Sequence, residues 1–486
     1  MPLIFPSVIG LTDLGGHLGR FAVQLDGGQS ESLRQWYSFR WDLIPNLGTD
    51  LLMQLLAPIL GLEPALKLIV IAIVGLQLTG FVLLARTAHG KVPVTALFAL
   101  PLAYSFPFNF GFINFALSTA LATFALALWI ALGDAGQPAK RWLIFVPIAC
   151  LLWICHLAGW ALFCVFAGSD ELIRQTKRGW RSLSLGVAIA ALSCLLAPWL
   201  IKFSLQPAQA AIGEISGFFD FTMKFSFLLQ VVRDRSMIWD IASAVLMLAA
   251  IGWFHSSTRF ERHDGLALGV TIAFGLYLLV PHVLLGSYFA DMRLVPMIMA
   301  ISLIAVRPGE NFPKHLANGL AIVGFVFVGL RFAGNGISLA IHDREFSQDL
   351  ALLDAVPRGS QLVTLVERRC DTLGEWNSER RTHLAGYAIA RRQAFGNDQW
   401  MIPGGQLLTV HNPAAGPFAK DPSQQVSDRS CEGWSSLEQA VSAMPASVPM
   451  MWVIGGEEPR SWPGWHEIRR SARAAVYSRD SIELQR

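Results

Sequence analysis

Asp13, His17 and Arg20 stand at i, i+4 and i+7 in the string T-D-L-G-G-H-L-G-R, so on a helix they share one face. A carboxylate in that setting suits a general base toward a hydroxyl acceptor, or a divalent cation held together with a second acid. The plainer reading is a helix cap, with Thr12 or Asp13 opening a helix over 14–25. Arg34, Arg40, Asp42 and Asp50 follow within the next thirty or so positions. Asp50 opens an apolar helix at 51–60 and reads as a cap or as the partner of a nearby arginine. The guanidinium fork matches phosphate oxygens, which makes Arg34, Arg40 and Arg293 candidates for a lipid phosphate. Asp291 and Arg293 flank Met292 at the head of an apolar run, where a local charge pair is the competing explanation. His156 and His282 lie at the ends of apolar runs, and a hydrogen-bonded structural histidine is the simpler role for each. Asn109 and Asn114, in P-F-N-F-G-F-I-N-F, suit backbone groups freed at a helix break.

The elements that position these residues are those of a membrane protein. Of the 486 residues 53% are hydrophobic and only 15% charged, against about 25% charged in a soluble domain. Charge is concentrated in residues 341–486, which marks a soluble C-terminal domain. The net charge of +3 is small and dispersed, and gives no case for nucleic acid. Residues 1–12 are apolar but too short to span, since spanning takes about 20 residues; they read as the outer end of a first span. Ten runs with few or no charges follow: 66–86, 92–106, 112–132, 142–155, 157–169, 183–203, 236–254, 265–285, 291–307 and 315–337.

The stretch 142–169 sets the orientation. A break at His156 gives two short helices; one long helix would reverse every later loop. Lys and Arg concentrate on the cytoplasmic side. With the break, one side collects Arg86, Lys91, Lys140, Arg141, Arg174, Lys177, Arg178, Arg181, Arg259, Arg262, Arg307 and Lys314. That side is then the cytoplasm. Residues 13–62, the P-F-N-F-G turn, His156, the loop 204–235, the segment Ser287–Arg293 and the C-terminal domain lie opposite. Within that loop, 212–231 reads as an amphipathic helix at the interface.

In the C-terminal domain, Phe346, Leu350, Leu353 and Val356 have helical spacing. S-Q-L-V-T-L-V and P-M-M-W-V-I-G-G read as strands. No phosphate loop, dinucleotide fingerprint or zinc spacing occurs there. Cys370 and Cys431 suit a disulfide if the domain faces an oxidising compartment. The expected fold is therefore mainly α: a polytopic helical membrane bundle of about ten spans plus a truncated N-terminal one, with a small C-terminal α/β domain. Its divisions are a remnant span at 1–12, a first loop with amphipathic helices at 13–62, a multi-span domain at 63–340 and the soluble domain at 341–486.

This plan resembles the glycosyltransferase C superfamily of integral membrane enzymes. D-L-G-G-H-L-G-R is similar to their acid-containing first-loop motif, and N-L-G-T-D-L-L to the helix that follows it. The chain departs from the pattern in two places: Leu14 follows Asp13 where many members carry a second acid, and the first span is mostly absent. The resemblance implies a polyprenyl-phosphate-linked sugar as donor, a site on the outer face and Asp13 as catalytic acid. An inverting hexosyl or pentosyl transfer would use Asp13 as base. His17, Arg20, Arg34, Arg40, His156, Asp291 and Arg293 would contact substrate, and a groove between spans would take the lipid tail. No cofactor is required beyond a divalent cation as an option. The expected place is a bacterial inner membrane with the C-terminal domain in the periplasm. The competing expectations are a lipid or solute transporter or flippase, and a non-catalytic envelope assembly protein. The transporter reading needs polar groups at mid-membrane, where Gln77 is the one strongly polar residue deep in a run.

Overall fold

The computed structural model describes residues 2–179, 198–199 and 213–479, apart from 373, 378, 403, 404, 422, 423, 432, 457 and 458. After a 3₁₀ turn at Pro2–Ile4, the first loop holds helix α1 (Leu14–Asp26), helix α2 (Glu31–Trp36), strand β1 (Tyr37–Phe39) and helix α3 (Gly48–Leu60). The bundle begins with α4 (Leu62–His89). A 3₁₀ segment, Val94–Tyr104, and the short α5 (Phe106–Phe110) come next, then α6 (Ile113–Asp134), α7 (Pro138–Cys155) and α8 (Leu157–Thr176). Beyond the loop come α9 (Phe221–Leu229), α10 (Met237–Ser256), strand β2 (Phe260–Arg262), α11 (Asp264–Leu279), α12 (Val295–Ile304), strand β3 (Val306–Pro308) and α13 (Lys314–Leu350).

Nine of the ten expected spans coincide with these helical segments; 183–203, apart from residues 198 and 199, lies outside the described residues. Among the described residues, four helices are long and apolar enough to cross a membrane by length and composition: Leu62–His89, Ile113–Asp134, Met237–Ser256 and the helix starting at Lys314. The span expected at 92–106 is mostly 3₁₀. Pro93 precedes it, Pro101 interrupts it and Pro107 follows it, and each proline lacks the N–H an α-helical ladder requires.

The break at His156 is present. Its backbone is extended (φ −169°, ψ 134°), between α7 and α8. Breaking a helix inside a bundle strands backbone groups that must find partners. Here the first loop supplies them: the Leu157 N–H donates to the Pro45 carbonyl at 3.0 Å, and the Leu47 N–H to the Ile154 carbonyl at 2.9 Å. The His156 ring accepts the Ala158 N–H at 3.1 Å and so caps α8. Because the helices alternate in direction, the connections near residues 90, 136, 260 and 310 share one end. The first loop, the His156 break and the segment before α12 share the other.

Helix α13 has 37 residues, about 55 Å at 1.5 Å per residue, against a hydrocarbon core of about 30 Å. It passes the expected boundary at 340 without a break and enters the C-terminal domain, so Phe346 and Leu350 belong to the last long helix. That domain contains β4 (Leu362–Arg368), α14 (Ala385–Arg392), β5 (Leu408–Val410), β6 (Gln425–Ser427), α15 (Leu437–Ser442), β7 (Met450–Ile454), β8 (Trp465–Arg470) and β9 (Ala474–Arg479). The main sheet has the order β6-β4-β7-β9-β8. Strand β4 is parallel to both its neighbours, and β7, β9 and β8 pair antiparallel. Cys370 and Cys431 form a disulfide across the end of this sheet.

The first loop and the C-terminal domain pack as one unit. Strand β1 pairs antiparallel with β5, Tyr37 opposite Val410. One buried cluster joins Leu14, Leu18 and Phe21 of α1, Ile69 and Ile73 of α4, Leu384 and Ala388 by α14, and Trp452 and Val476 of the sheet. Trp376 Nε1 donates to Asp240 at 2.8 Å, and Arg380 pairs with Asp234, which ties the domain to the bundle.

Two expectations are corrected. Residues 5–12 are irregular rather than the end of a helix, and Lys67 Nζ holds the Ile4 and Pro6 carbonyls at 3.0 and 2.6 Å. The interfacial helix expected at 212–231 is only Phe221–Leu229. Its apolar side chains stand out along the preceding turn, with Phe218, Phe219, Phe221 and Phe225 all exposed.

Candidate functional site

Small residues let α1 reach the C-terminal domain. A Cβ on Gly15 would sit 2.1 Å from the His383 carbonyl oxygen, and one on Gly386 would sit 1.9 Å from the Gly15 oxygen. The glycines of D-L-G-G-H-L-G therefore bring two backbones into contact, and this is the physical content of that string. On the bundle side, Gly111 adopts φ 103°, open to glycine at little cost, and a Cβ there would meet the Asp13 nitrogen at 2.8 Å. The Asp13 N–H donates to the Phe110 carbonyl at 2.9 Å. Asp13 is thus held between the P-F-N-F-G turn of the bundle and the C-terminal domain.

Asp13 stands at the cap position of α1, but its side chain makes no capping hydrogen bond. The carboxylate is buried (8% exposed) and lies 3.7 Å from His383 Nε2. Burial raises its pKa well above the usual range, Asp421 adds to the rise, and the Arg293 charge opposes it. On the far side of the imidazole, His383 Nδ1 lies 3.1 Å from the Asp398 carbonyl oxygen. A carbonyl only accepts, so Nδ1 carries the proton, and the Nε2 lone pair of the neutral ring faces Asp13. Burial lowers the His383 pKa. Burial also raises the Asp398 carboxyl to about 7. Trp400 lies against both imidazoles, its ring centroid 4.5 Å from that of His383 and 5.3 Å from that of His17. Burial, then the Arg20 charge, hold the His17 pKa well below its ordinary value.

Arg293 completes the site from the bundle. Its guanidinium rests over Phe112, 4.0 Å from the ring centroid, and donates to the Tyr288 carbonyl at 3.0 Å. Its charge reaches Asp13 and His156. Asp13 and His17 at the start of α1, His156 at the break between α7 and α8, and Arg293 in the turn before α12 therefore share one site, although they arise from three separate elements.

Other expected contacts are placed elsewhere. Arg20 is 2% exposed and forms an ion pair with the fully buried Asp50, whose Oδ2 also accepts from Asn114 Nδ2 at 3.2 Å. This gives Asp50 the arginine partner expected of it and engages Arg20 within the first loop. Asp291 is likewise engaged. It is 1% exposed, pairs with Lys224 at 3.0 Å and His282 at 3.1 Å, and caps the Met292 N–H at 2.9 Å. Arg34 is exposed and donates to the Gly28 carbonyl at 3.5 Å. Arg40 is exposed, its N–H bonded to the Leu407 carbonyl at 3.3 Å, on the stretch that leads to Pro45 and the His156 break. Among the described residues, no group of three or more His, Cys, Asp and Glu side chains is arranged to hold a metal ion.

Sequence reasoning missed His383, Asp398, Trp400 and Asp421. The available signal was F-G-N-D-Q-W at 395–400, an acid and an aromatic in a glycine-rich loop of a domain already placed on the Asp13 side.

No family model matches the sequence, and no curated protein matches it. Among the solved structures that match are two that do so over nearly their whole length. ArnT from Cupriavidus metallidurans in the apo state has a TM-score of 0.52 and 12% identity, over 98% of this chain and 95% of that one. The same protein bound to undecaprenyl phosphate has a TM-score of 0.50 and 10% identity, over the same shares. This chain therefore has the glycosyltransferase-C type of fold: a polytopic helical membrane bundle carrying a small C-terminal α/β domain.

Proposed function

We propose that this protein is an integral membrane glycosyltransferase that moves a sugar from a polyprenyl-phosphate donor to an envelope acceptor. The observation that carries the reading is the Asp13 carboxylate. It is buried, makes no capping bond, and sits between a cation and an imidazole at the junction of bundle and C-terminal domain. The fold likeness to a protein solved with undecaprenyl phosphate supports the donor class.

In this reading Asp13 accepts the proton of the acceptor hydroxyl as that oxygen forms its bond to the anomeric carbon. The bond from that carbon to the phosphate oxygen breaks, with inversion, and the electron pair leaves with the polyprenyl phosphate. Arg293 meets the charge that develops on the leaving phosphate. Arg40, exposed on the stretch beside the His156 break, is a second contact for it. His383 Nε2 gives the proton a second resting place, from which Asp13 is returned to its charged form. His17, His156 and Trp400 wall the sugar and exclude water. Assays with and without a chelator show whether a divalent cation takes part.

The orientation belongs to the same proposal. The cation-rich connections lie at the end opposite Asp13, which suits a cytoplasmic side there. A disulfide in the C-terminal domain suits an oxidising compartment, the periplasm of a bacterial inner-membrane protein. Among the described residues, buried ionisable groups lie toward the two ends of the bundle, Asp13 at one and the Arg141–Glu171 pair at the other, rather than along a path through it, which favours an interfacial enzyme over a transporter. Purified protein in nanodiscs, supplied with polyprenyl-phosphate sugars and an envelope extract, tests the reading. Asp13-dependent release of polyprenyl phosphate is expected; release unchanged by Asp13→Asn overturns it.

A further inference from the structure

The C-terminal sheet changes direction at β4. Strands β6 and β7 both run parallel to it, one on each side. In an open α/β sheet such a reversal leaves a crevice beyond the carboxyl ends of the strands, where ligands bind. A cavity of about 380 Å³ occupies that place. It is floored by the ends of β4 and β7 at Arg368 and Gly455. It is walled by His342 near the end of α13 and by Arg235 from the loop before α10. The segment from Arg380 to His383 divides it from the Asp13 site: Arg380 and Arg381 line this cavity, and His383 faces Asp13.

The lining is basic and incompletely paired. Seven arginines face five carboxylates. Arg380 is engaged by Asp234, Arg381 by Glu345 and Asp349, Arg369 by Asp371 and Arg460 by Glu367. Arg235 has neither a hydrogen bond nor an ion pair among the described residues, and Arg368 rests over the Trp434 ring, 5.8 Å from its centroid. His342 is 5% exposed, and among the described residues neither ring nitrogen has a hydrogen-bond partner and the nearest carboxylate, Glu345, is 3.9 Å away. Burial, then the charges of Arg380, Arg235 and Arg381, push its pKa down to about 2. A buried imidazole without a partner is costly. Surrounded by guanidinium groups, it calls for an acceptor that carries negative charge.

We propose that this cavity is a second binding site, for a phosphate group carried on a polar headgroup. Guanidinium forks suit phosphate oxygens in two-point contact, and the neutral His342 offers a further N–H. The volume exceeds that of a bare phosphate and lies in the range of small-ligand pockets, about 300–1,000 Å³. The headgroup is that of a soluble phosphorylated polyol or sugar, or of a membrane lipid.

Calorimetry on the full chain in detergent tests this with glycerol phosphate, and with glycerol as control. A second arm repeats it in nanodiscs of phosphatidate and of phosphatidylcholine. Saturable binding of glycerol phosphate but not glycerol is expected, weakened at least tenfold by Arg235→Gln with Arg368→Gln. Loss of that binding in phosphatidate nanodiscs alone identifies a lipid source; retention in both identifies a soluble one. Arg235→Lys keeps the charge without the fork and weakens binding in a protein whose melting temperature is unchanged. No saturable binding in detergent or in either nanodisc, or the same affinity in all variants, overturns the proposal.

Discussion

Asp13 Oδ1 and His383 Nε2 lie 3.7 Å apart, one in the first loop and the other in the C-terminal domain. That spacing is longer than a hydrogen bond, as catalytic contacts often are before substrate binds. With Nδ1–H directed to the Asp398 carbonyl, His383 Nε2 is a base placed to take a proton from Asp13. The C-terminal domain is on this account part of the reaction centre. His383→Gln is expected to lower kcat about 10- to 100-fold with little change in KM, and to shift the acid limb of the kcat profile. A kcat profile unchanged in height and position contradicts the role.

The close approach of α1 and α14 has a steric test. Gly15→Ala puts a methyl group 2.1 Å from the His383 oxygen, a contact that backbone must move to relieve. Overpacking of this kind costs about 1–3 kcal/mol, and the movement separates Asp13 from His383. Activity is expected to fall with a moderate loss of melting temperature, whereas Gly168→Ala, with nothing within 4 Å of the new Cβ, is expected to leave both unchanged.

The Arg20–Asp50 pair has a structural signature. Asp50 is fully buried and Arg20 nearly so, and removing one partner leaves an uncompensated charge at a cost of about 3–5 kcal/mol. Asp50→Ala is expected to lower the denaturation midpoint strongly, and Asp50→Ala combined with Arg20→Met to recover much of the loss. A single variant as stable as the parent removes the structural assignment.

Asp398 carries a pH signature. Its folded pKa is raised to about 7, mainly by burial. A raised folded pKa means stability that is fully present below the ordinary carboxylate value and is lost as pH rises through about 7. Asp398→Asn removes that dependence. Relative to the parent, the variant is expected to gain melting temperature between pH 4 and pH 8, measured by thermal unfolding in detergent. A difference that is constant across that range contradicts the raised value.

The bundle was legible because apolar runs and their charged flanks are imposed by the bilayer, and the His156 break because loop charge demanded it. Arg293 was legible as a cation at a span head. The buried partners of Arg20 and Asp291 were not legible, since a charged residue at a membrane boundary looks the same in sequence whether it awaits a phosphate or already has a carboxylate or lysine beside it. His383 and Asp398 were hidden for a different reason. Their relation to Asp13 exists through the packing of Gly15 and Gly16 against a distant segment, and no local period records a contact between elements so far apart in the chain.

The central claim is that Asp13 acts as the base. The decisive measurement is the rate of a single turnover by Asp13→Asn, with its melting temperature, on the full chain in nanodiscs with a polyprenyl-phosphate sugar. General-base catalysis is worth about 10²- to 10⁴-fold, and a buried carboxylate with a raised pKa disfavours its own charged form. The account predicts a rate reduced about a thousandfold or more in a protein that melts at the same or a higher temperature. A rate within tenfold of the parent, in a protein that remains folded, contradicts it.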